Sequence, residues 1–375
     1  MDLDLPPDDD PRRLEVRRWI AEHPDPDGAT LAAAGYVAPH WPAPHGLGAD
    51  PIHQLIIDEE LRRARIRRPS NQIGIGWAGP TLIHAGTPEQ QERWLPGILS
   101  GAEIWCQLFS EPDAGSDLAA VRTRATRDGD EWVVEGEKVW TSLAQHSRWG
   151  ILIARTATDP DVPGQQGITY FVCPMDAEGI EIRPLIDMTG NHTFNQVILD
   201  GVRIPDDHRV GDVDRGWPLA KVTLGNERVS LSSGGALWGL GPDAGDLLDI
   251  VREAGGVDDP HLRQRLAQMW IEAEVLRLIR LRTVTAAIKG EPPGPEASIR
   301  KVLADEHGQN VMSIAKDLAG TAGLLAHAGP CGSPNPTWAF GYLFSRALTI
   351  GGGTGEVQRN ILGERVLGLP AEPSA

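Results

Sequence analysis

The chain has 375 residues, of which 35 are Lys or Arg and 52 are Asp or Glu, so its formal net charge is −17. A chain this acidic repels phosphate backbones and anionic lipids at long range, which argues against nucleic acid and membrane surfaces as partners. Hydrophobic residues make up 41% of the chain and charged residues 23%, which is typical of a soluble globular protein with two or three domains.

The three cysteines, Cys106, Cys173 and Cys331, lie far apart and form no CxxC pair. This spacing argues against a disulfide framework or a cysteine-based metal site, and it fits a reducing compartment. The first residues are acidic and lack the apolar core of a signal peptide, and no apolar run approaches the roughly 18 residues that span a bilayer. We therefore expect a cytoplasmic protein with no metal site and no membrane span.

Residues 1–104 are predicted to form an α-helical domain. Apolar residues recur at helical spacing in the segments 14–20 and 52–66. The segment 87–90, TPEQ, is typical of a helix start, with Thr as the N-cap, Pro at the first helical position and Gln closing a capping box. The many charged residues of these segments predict solvated helix faces.

Residues 105–213 have a different texture and are predicted to form a β domain. Short runs of β-branched and aromatic residues, separated by Gly, Pro or Asp, occupy 129–140, 149–155, 167–175, 180–185 and 195–205. Such runs are typical of a small barrel or sandwich. The dipeptide Asp128-Gly129 indicates a hairpin turn.

Residues 214–375 return to helical spacing and are predicted to form a C-terminal helical bundle. Apolar side chains repeat with a helical period at Leu262, Leu266, Met269, Trp270, Ala273 and Leu276. The stretch 262–289 is long enough for a bundle helix, and a second helical run follows at 299–319. The sequence thus predicts an α+β protein in the order α, β, α.

Two Gly-rich segments are candidate sites. Neither GxxxxGK[ST] nor HExxH occurs, and no GxGxxG follows a strand in the first half, so the sequence does not support a P-loop, this zinc motif or a classical dinucleotide fold. The segment 110–117 is SEPDAGSD and the segment 351–356 is GGGTGE. Consecutive glycines let backbone N–H groups approach a phosphate or a ring. A surface turn or a plain loop explains either segment equally well on composition alone.

Taken together, these segments resemble the signatures of the acyl-CoA dehydrogenases, over nearly the whole chain. SEPDAGSD resembles the first signature, and 130–142, which ends in VWTS, resembles the hairpin that follows it. The segment 353–360 and the closing 367–370, LGLP, resemble the C-terminal signature. The resemblance implies an N-terminal helical domain, a middle β-barrel domain and a C-terminal helical bundle.

The resemblance also implies a reaction and its partners. Members of this family hold FAD between the β domain and the C-terminal helices. A carboxylate removes the α-proton of an acyl-CoA thioester while the β-hydrogen leaves as hydride to the flavin. An electron-transfer flavoprotein then reoxidises the flavin, and the enzyme is a homo- or hetero-oligomer, either a dimer or a tetramer.

Individual residues acquire roles from the same resemblance. The residues implied at the cofactor are Gln107, Phe109, Ser110, Trp140, Ser142, Arg252, Asp317, Gly320, Thr354 and Glu356. Ser116 and Arg228 are implied at the acyl-CoA. The segment after Arg252 departs from the family, since 254–256 is AGG where an aromatic residue and Gly are usual.

The usual catalytic base is missing. Many members carry Tyr-Glu-Gly-Thr in the last signature, but 351–354 is GGGT, so Gly352 has no side chain to accept a proton. The α-C–H of a thioester is a weak acid, so the reaction still requires a base. A minority of members place this base in a Glu-Arg pair on an earlier helix, which implies Glu227 within 223–231. The backbone N–H of Gly352 would still polarise the thioester carbonyl.

Three functional interpretations remain open at this stage. We expect an FAD-dependent dehydrogenase for a branched or bulky acyl-CoA, such as an intermediate of fatty acid or sterol side-chain breakdown, because Gly352 leaves room where a Glu side chain usually stands. The chain could instead be the subunit of a hetero-oligomer that binds FAD but lacks the base. A flavin monooxygenase of the same fold is the third interpretation.

Overall fold

The computed structural model describes residues 6–159, 161–233, 242–288, 294, 297–324 and 336–371. The chain divides into a first unit, Asp4–Asp187 with His192–Asn226, and a second unit, Met188–Asn191 with Glu227–Ala375. Cys106 and Cys173 are buried and free, whereas Cys331 lies outside the described residues.

The first unit begins with the five helices α1 (Pro11–Glu22), α2 (Gly28–Ala33), α3 (Pro51–Arg63), α4 (Gly79–Ala85) and α5 (Pro88–Ser100). Asp10, Asp27 and Asp50 cap the first three helices by accepting backbone N–H groups. The predicted capping box of α5 is confirmed, since the side chains of Thr87 and Gln90 each bind the other residue's backbone N–H.

Eight strands follow in the first unit: β1 (Trp105–Leu108), β2 (Arg124–Asp128), β3 (Glu131–Ser142), β4 (Trp149–Arg155), β5 (Ile168–Pro174), β6 (Ile180–Leu185), β7 (Phe194–Pro205) and β8 (Arg209–Val210). They form one sheet in the order β6-β7-β3-β2-β4-β5-β8, with β1 parallel to β4. The pair Arg124–Arg155 joins β2 to β4. Trp132 of β3 and Phe171 of β5 nevertheless pack 5.5 Å apart, so the sheet curls around a single apolar core.

The predicted hairpin joins β2 and β3, with its turn one residue later than the Asp-Gly dipeptide. Asp128 pairs with Glu131, so Gly129 and Asp130 form the turn. Gly129 has φ +65°, a left-handed conformation that glycine adopts without a steric penalty.

Helix α5 is fixed to the β domain by an amide and a tryptophan cluster. The Gln90 Nε2 group donates to the carbonyl oxygen atoms of Asp207 and Arg209, each at 2.8 Å. Three buried indole rings, those of Trp94, Trp105 and Trp149, lie 5.9–6.3 Å from one another. These contacts bury the start of β1, the strand that leads into SEPDAGSD.

Helix α6 (Gly216–Ser233) starts after the β domain and is anchored by hydroxyl groups. Thr223 Oγ1 lies 3.0 Å from Tyr170 Oη and 2.8 Å from Thr81 Oγ1. All three side chains are buried, so the first part of α6 is held against both the N-terminal helices and the sheet.

The second unit contains α7 (Ala244–Glu253), α8 (Pro260–Ile288), α9 (Ala297–Leu318), α10 (Pro336–Phe344) and α11 (Gly355–Ile361). The predicted long helix is confirmed as α8, and Met269 is fully buried on it. Trp270 is 45% exposed, although the apolar period included it. Among the described helices, none combines the length and the apolar character needed to cross a bilayer.

One group of charges does not lie on a solvated face, contrary to the prediction. Glu60 of α3 is 3% exposed and accepts hydrogen bonds from Arg13 at 2.6 Å and from Arg17 at 2.9 Å. Burial raises the pKa of the Glu60 carboxyl, but the two guanidinium groups outweigh burial and hold the pKa below its usual value. Paired guanidinium groups thus make it possible to bury a carboxylate between α1 and α3.

We expect Glu60→Gln to lower the free energy of unfolding by about 3 kcal/mol at neutral pH, because it leaves the buried Arg13 without its closest carboxylate. The depressed pKa stabilises the fold above the unfolded-state pKa, and this contribution is lost as the pH falls through the folded-state pKa. Urea denaturation should therefore show the gap between variant and wild type closing at acid pH. Glu22→Gln, at an exposed site on α1, is the matched control, and equal effects of the two substitutions would contradict the assignment.

Candidate active site

The residues predicted at the cofactor from the β domain lie at or just after the ends of β1 and β3. The backbone N–H of Val139 donates to the carbonyl oxygen of Ser110 at 2.9 Å, so the end of β1 lies beside the last part of β3. Gln107 and Ser142 are half-buried. The ring of Phe109 is 3% exposed and packs 6.0 Å from Tyr170, so Phe109 presents its backbone rather than its ring.

Trp140 is held out of the sheet by an irregular backbone. The register of β3 against β7 shifts between Lys138 and Thr141, and Trp140 has φ +60°. A bulky residue in this conformation costs about 1–3 kcal/mol and occurs mainly where function requires it. The indole is 61% exposed, and its ring meets Phe194 edge-on at 5.9 Å. The predicted role of Trp140 at the cofactor remains a prediction, and the exposed indole leaves its ring accessible to a ligand.

A buried lysine holds the segment before SEPDAGSD in place. The Nζ group of Lys138 donates to the carbonyl oxygen atoms of Phe109 and Ile153, each at 3.0 Å, and to Glu111 Oε1 at 2.8 Å. Lys138 is fully buried and Glu111 is 7% exposed. All three donor positions of the ammonium group are thus used, two of them on main-chain oxygen atoms.

The carboxylate of Glu111 completes this cluster. It accepts the backbone N–H groups of Arg122 at 2.6 Å and Thr123 at 2.9 Å. Burial raises the pKa of Glu111, but Lys138, together with the hydrogen bonds from Thr123 and the Arg122 backbone, holds the pKa below its usual value. Burial also lowers the pKa of Lys138 to about 8, a shift that Glu111 opposes. Lys138 at Phe109 and Glu111 at Arg122 and Thr123 thus fix the two ends of the loop that carries Ser116.

Ser116 itself lies in an exposed part of that loop. Glu111 and Ala114 form a two-way backbone pair at 3.0 and 3.1 Å, which closes a tight turn. The residues that follow this turn, 115–117, are all exposed, so Ser116 is accessible to solvent.

The second Gly-rich segment, 351–354, is a loop in the second unit with two left-handed residues. Gly352 has φ +67° and Gly353 has φ +87°, both conformations that favour glycine. Thr354 caps α11 by accepting the Val357 N–H at 3.2 Å. A Cβ atom on Gly353 would lie 2.5 Å from Gln358 Nε2, and its φ of +87° would strain any other residue there.

Glu227 lies on α6 and is 7% exposed, so it is a buried carboxyl residue with contacts of its own. The backbone of Arg228 belongs to the same helix, but its side chain lies outside the described residues. Glu356 is exposed in the first turn of α11.

The remaining predicted cofactor residues lie at exposed positions of the second unit. Arg252 pairs with Asp249 at 2.6 Å near the end of α7, and Asp317 pairs with Arg265 at 2.6 Å. Gly320 has φ +56° in the turn after α9. Their roles at a cofactor remain predictions.

Comparison with known proteins identifies the family. The family descriptions that match are the acyl-CoA dehydrogenase N-terminal domain over 11–102, the middle domain over 106–202 and the C-terminal domain over 214–367. The chain belongs to the acyl-CoA dehydrogenase family. The predicted α+β fold, with helical, β and helical parts in this order, is confirmed.

Several relatives come from mycobacteria. The chain is 40% identical to acyl-CoA dehydrogenase IpdE1 of Mycobacterium tuberculosis, over 91% of this chain and 87% of that protein. It is 43% identical to acyl-CoA dehydrogenase FadE34 of the same organism, over 91% of this chain but only 45% of FadE34. The chain thus spans less than half of this longer relative.

Two solved structures are similar over nearly their whole length. The ChsE4–ChsE5 complex of Mycobacterium tuberculosis has a TM-score of 0.80 at 32% identity, covering 99% of this chain and 100% of that chain. The structure titled Tcur3481–Tcur3483 steroid ACAD has a TM-score of 0.82 at 30% identity, with the same coverage.

The described residues fit a flavin, the cofactor of this acyl-CoA dehydrogenase family. The exposed ring of Trp140 offers an aromatic face beside main-chain groups at the end of β1. A buried acceptor in the residue after Trp140, Thr141 Oγ1, has no hydrogen-bond partner among the described residues. A ligand rich in donors, such as the hydroxyl and imide groups of a flavin, suits such an atom.

The sequence did not predict the buried Lys138–Glu111 pair, and it gave no contact for Gln358 although this residue lies in the segment 353–360. Glu111 lies within SEPDAGSD, and Lys138 lies two residues before Trp140, but a charged residue in a strand ordinarily predicts a solvent-facing position. The alternation of β3 gives a signal, since Trp132, Val134 and Lys138 all lie at even-numbered, buried positions.

We expect Lys138→Met to lower the free energy of unfolding by about 3–5 kcal/mol, because it leaves the Glu111 carboxylate buried without its cation. Chemical denaturation of variant and wild type measures the difference. The matched control is Lys221→Met at an exposed position of α6, which should change stability by less than about 0.5 kcal/mol. A similar small effect of Lys138→Met would show that the pair does not hold the loop.

Proposed function

We propose that this protein catalyses the FAD-dependent α,β-dehydrogenation of an acyl-CoA thioester. The observation that carries the proposal is the match of all three acyl-CoA dehydrogenase domains, in order, over 11–367. The exposed Trp140 and the Gly-rich loop at 351–354, which are the predicted cofactor and substrate elements, support it.

The FAD-binding roles that we propose follow the family signatures. Gln107, the backbone of Phe109 and Ser110, and the side chains of Trp140 and Ser142 would bind from the β domain. Thr354 and Glu356 would bind from the start of α11. When bound, FAD supplies the acceptor for the hydride that leaves the β-carbon. The protein's own task is to orient the thioester and remove the α-proton.

We propose Glu227 as the base that removes the α-proton. A carboxylate oxygen of Glu227 would take the proton as the α-C–H bond breaks and the carbon–carbon double bond forms. Its place in the Glu-Arg pair at 227–228 supports the assignment, and Glu227 is 7% exposed on α6. Gly352 cannot serve as a base, and its N–H would donate to the thioester oxygen as negative charge develops there.

We propose a bulky, ring-bearing acyl group as the substrate. Three consecutive glycines at 351–353 leave this part of the loop without side chains. A structurally similar protein at 30% identity is titled a steroid acyl-CoA dehydrogenase, which supports the same substrate class. Ser116 and Arg228 would contact the CoA part.

A partner chain is the second part of the proposal. Both similar structures above are titled with two protein names, and more than half of FadE34 lies outside the match with this chain. We infer that this chain assembles with a second acyl-CoA dehydrogenase subunit and passes its electrons to an electron-transfer flavoprotein.

The spectrum of the purified protein, recorded with and without acyl-CoA under anaerobic conditions, tests the function. We expect bound FAD whose absorbance is bleached by ring-bearing acyl-CoA, with kcat/KM at least about tenfold above that for butyryl-CoA, since pocket shape discriminates at this level. If the chain alone is colourless, co-expression with a second acyl-CoA dehydrogenase chain should restore the colour. A preference for butyryl-CoA would contradict the proposed substrate class. If acyl-CoA alone does not reduce the flavin, and the protein reacts only with reduced flavin and oxygen, the protein is a monooxygenase.

The catalytic base is tested by Glu227→Gln, which keeps the size of the side chain and removes its basicity. We expect FAD to stay bound while the rate of flavin reduction falls by about 10²–10⁴-fold, the usual contribution of a general base. Stopped-flow absorbance measures this rate. Glu178→Gln, in an exposed turn of the β domain, is the matched control. Unchanged reduction by Glu227→Gln would eliminate Glu227 as the base.

A further inference from the structure

The carboxamide of Gln358 lies against the Gly-rich loop at 351–354. Gln358 is 1% exposed, and its Nε2 group lies 3.3 Å from the carbonyl oxygen of Gly352 and 3.5 Å from that of Gly353. Carbonyl oxygen atoms only accept hydrogen bonds, so the NH2 end of the amide must face them. Exchanging the nitrogen and oxygen atoms of this amide would bring three acceptors together.

These contacts determine where the next N–H groups point. In a trans peptide the C=O and N–H bonds point in opposite directions. Because the carbonyl groups of Gly352 and Gly353 are directed at Gln358, the N–H groups of Gly353 and Thr354 are directed away from it. Neither N–H donates to any of the described residues, and Gly353 is exposed. The loop thus presents two further donors beyond the N–H of Gly352.

Other side chains fix the approach to the loop but not these peptides. Lys301 is fully buried and donates to the carbonyl oxygen of Leu348 at 3.0 Å. Gln309 donates to Thr349 Oγ1 at 3.1 Å. Within the described part of the chain, Gln358 is the side chain that bonds to the carbonyl groups of Gly352 and Gly353. Gln358 is therefore the side chain in the described residues that is placed to hold these two peptide groups.

We propose that Gln358 is a positioning residue that turns the peptide N–H groups of the Gly-rich loop toward the bound thioester. The inference rests on the proposed function, in which this loop stabilises the thioester oxygen. Negative charge develops on that oxygen as the α-proton leaves. Donors that are already oriented need no reorganisation at that moment, so the contact lowers the barrier rather than strengthening ground-state binding.

The test compares three variants of the FAD-bound protein. Gln358→Glu keeps the size but places carboxylate oxygen atoms against the two carbonyl groups, and Gln358→Met removes the donor without adding a charge. Gln264→Glu, at an exposed position of α8, is the matched control. Crystal structures report the orientation of the 352–354 peptides, and stopped-flow measurements report flavin reduction.

We expect at least one of these peptides to rotate in both Gln358 variants, and the rate of reduction at saturating acyl-CoA to fall about 10–100-fold, with little change in acyl-CoA affinity. Lowering the pH should partly restore Gln358→Glu, because a protonated carboxyl group can donate to one carbonyl. The same change should not restore Gln358→Met. If Gln358 were needed only for folding, lowering the pH would not restore the reduction rate of one variant and leave the other unchanged.

Two results would overturn the inference: peptides that keep their orientation in both variants, or reduction rates equal to those of Gln264→Glu. A wild-type protein whose FAD no acyl-CoA reduces would refute the proposed function instead. The orientation of the peptides in the crystal structures would then decide the role of Gln358 in shaping the loop.

Discussion

Buried side chains that donate to main-chain carbonyl groups hold both Gly-rich segments of this protein. Lys138 binds the carbonyl group of Phe109 before SEPDAGSD, and Gln358 binds that of Gly352 in the second loop. Lys301 does the same at Leu348. An irregular loop has no ladder to satisfy its carbonyl groups, so each buried one needs a donor. Each donor also fixes the direction of the N–H group in the same peptide. Glycine has no side chain that would restrict the backbone, so without such a donor the loop could adopt many conformations.

This arrangement accounts for an acidic protein that is expected to bind acidic ligands. A net charge of −17 repels anions at long range, yet FAD and CoA both carry phosphate groups. Screening shortens that repulsion to about 8–10 Å at moderate salt, so short-range donors dominate at contact. Backbone N–H groups bring positive partial charge without changing the net charge. Backbone N–H groups can bind phosphate without a net positive charge on the chain. The exposed Arg252 already pairs with Asp249, so part of its charge is neutralised.

The exchange of Glu for Gly at the usual position of the base has two connected consequences. It removes the proton acceptor, which the proposed function assigns to Glu227, and it frees the loop to adopt two successive left-handed residues. A non-glycine residue would be strained at Gly352, with φ +67°, and at Gly353, with φ +87°. The left-handed conformation of the loop and the space needed for a large acyl group thus both favour glycine at these positions.

The sequence by itself determined the order of helical and β segments, the capping box at Thr87 and Gln90, the long helix α8 and the family signatures. These features depend on local periodicity, capping and motif order, which are written along the chain. Only the tertiary structure decided that Glu60 and Lys138 are buried, that Phe109 turns its ring inward, and that Trp140 stands on a strained bulge. Each of these depends on partners that are distant in sequence, such as Arg13 for Glu60 and Ile153 for Lys138. From the sequence alone, a charged residue is expected to face solvent. It can be buried only next to a group of opposite charge or a carbonyl group, and folding brings such a partner close.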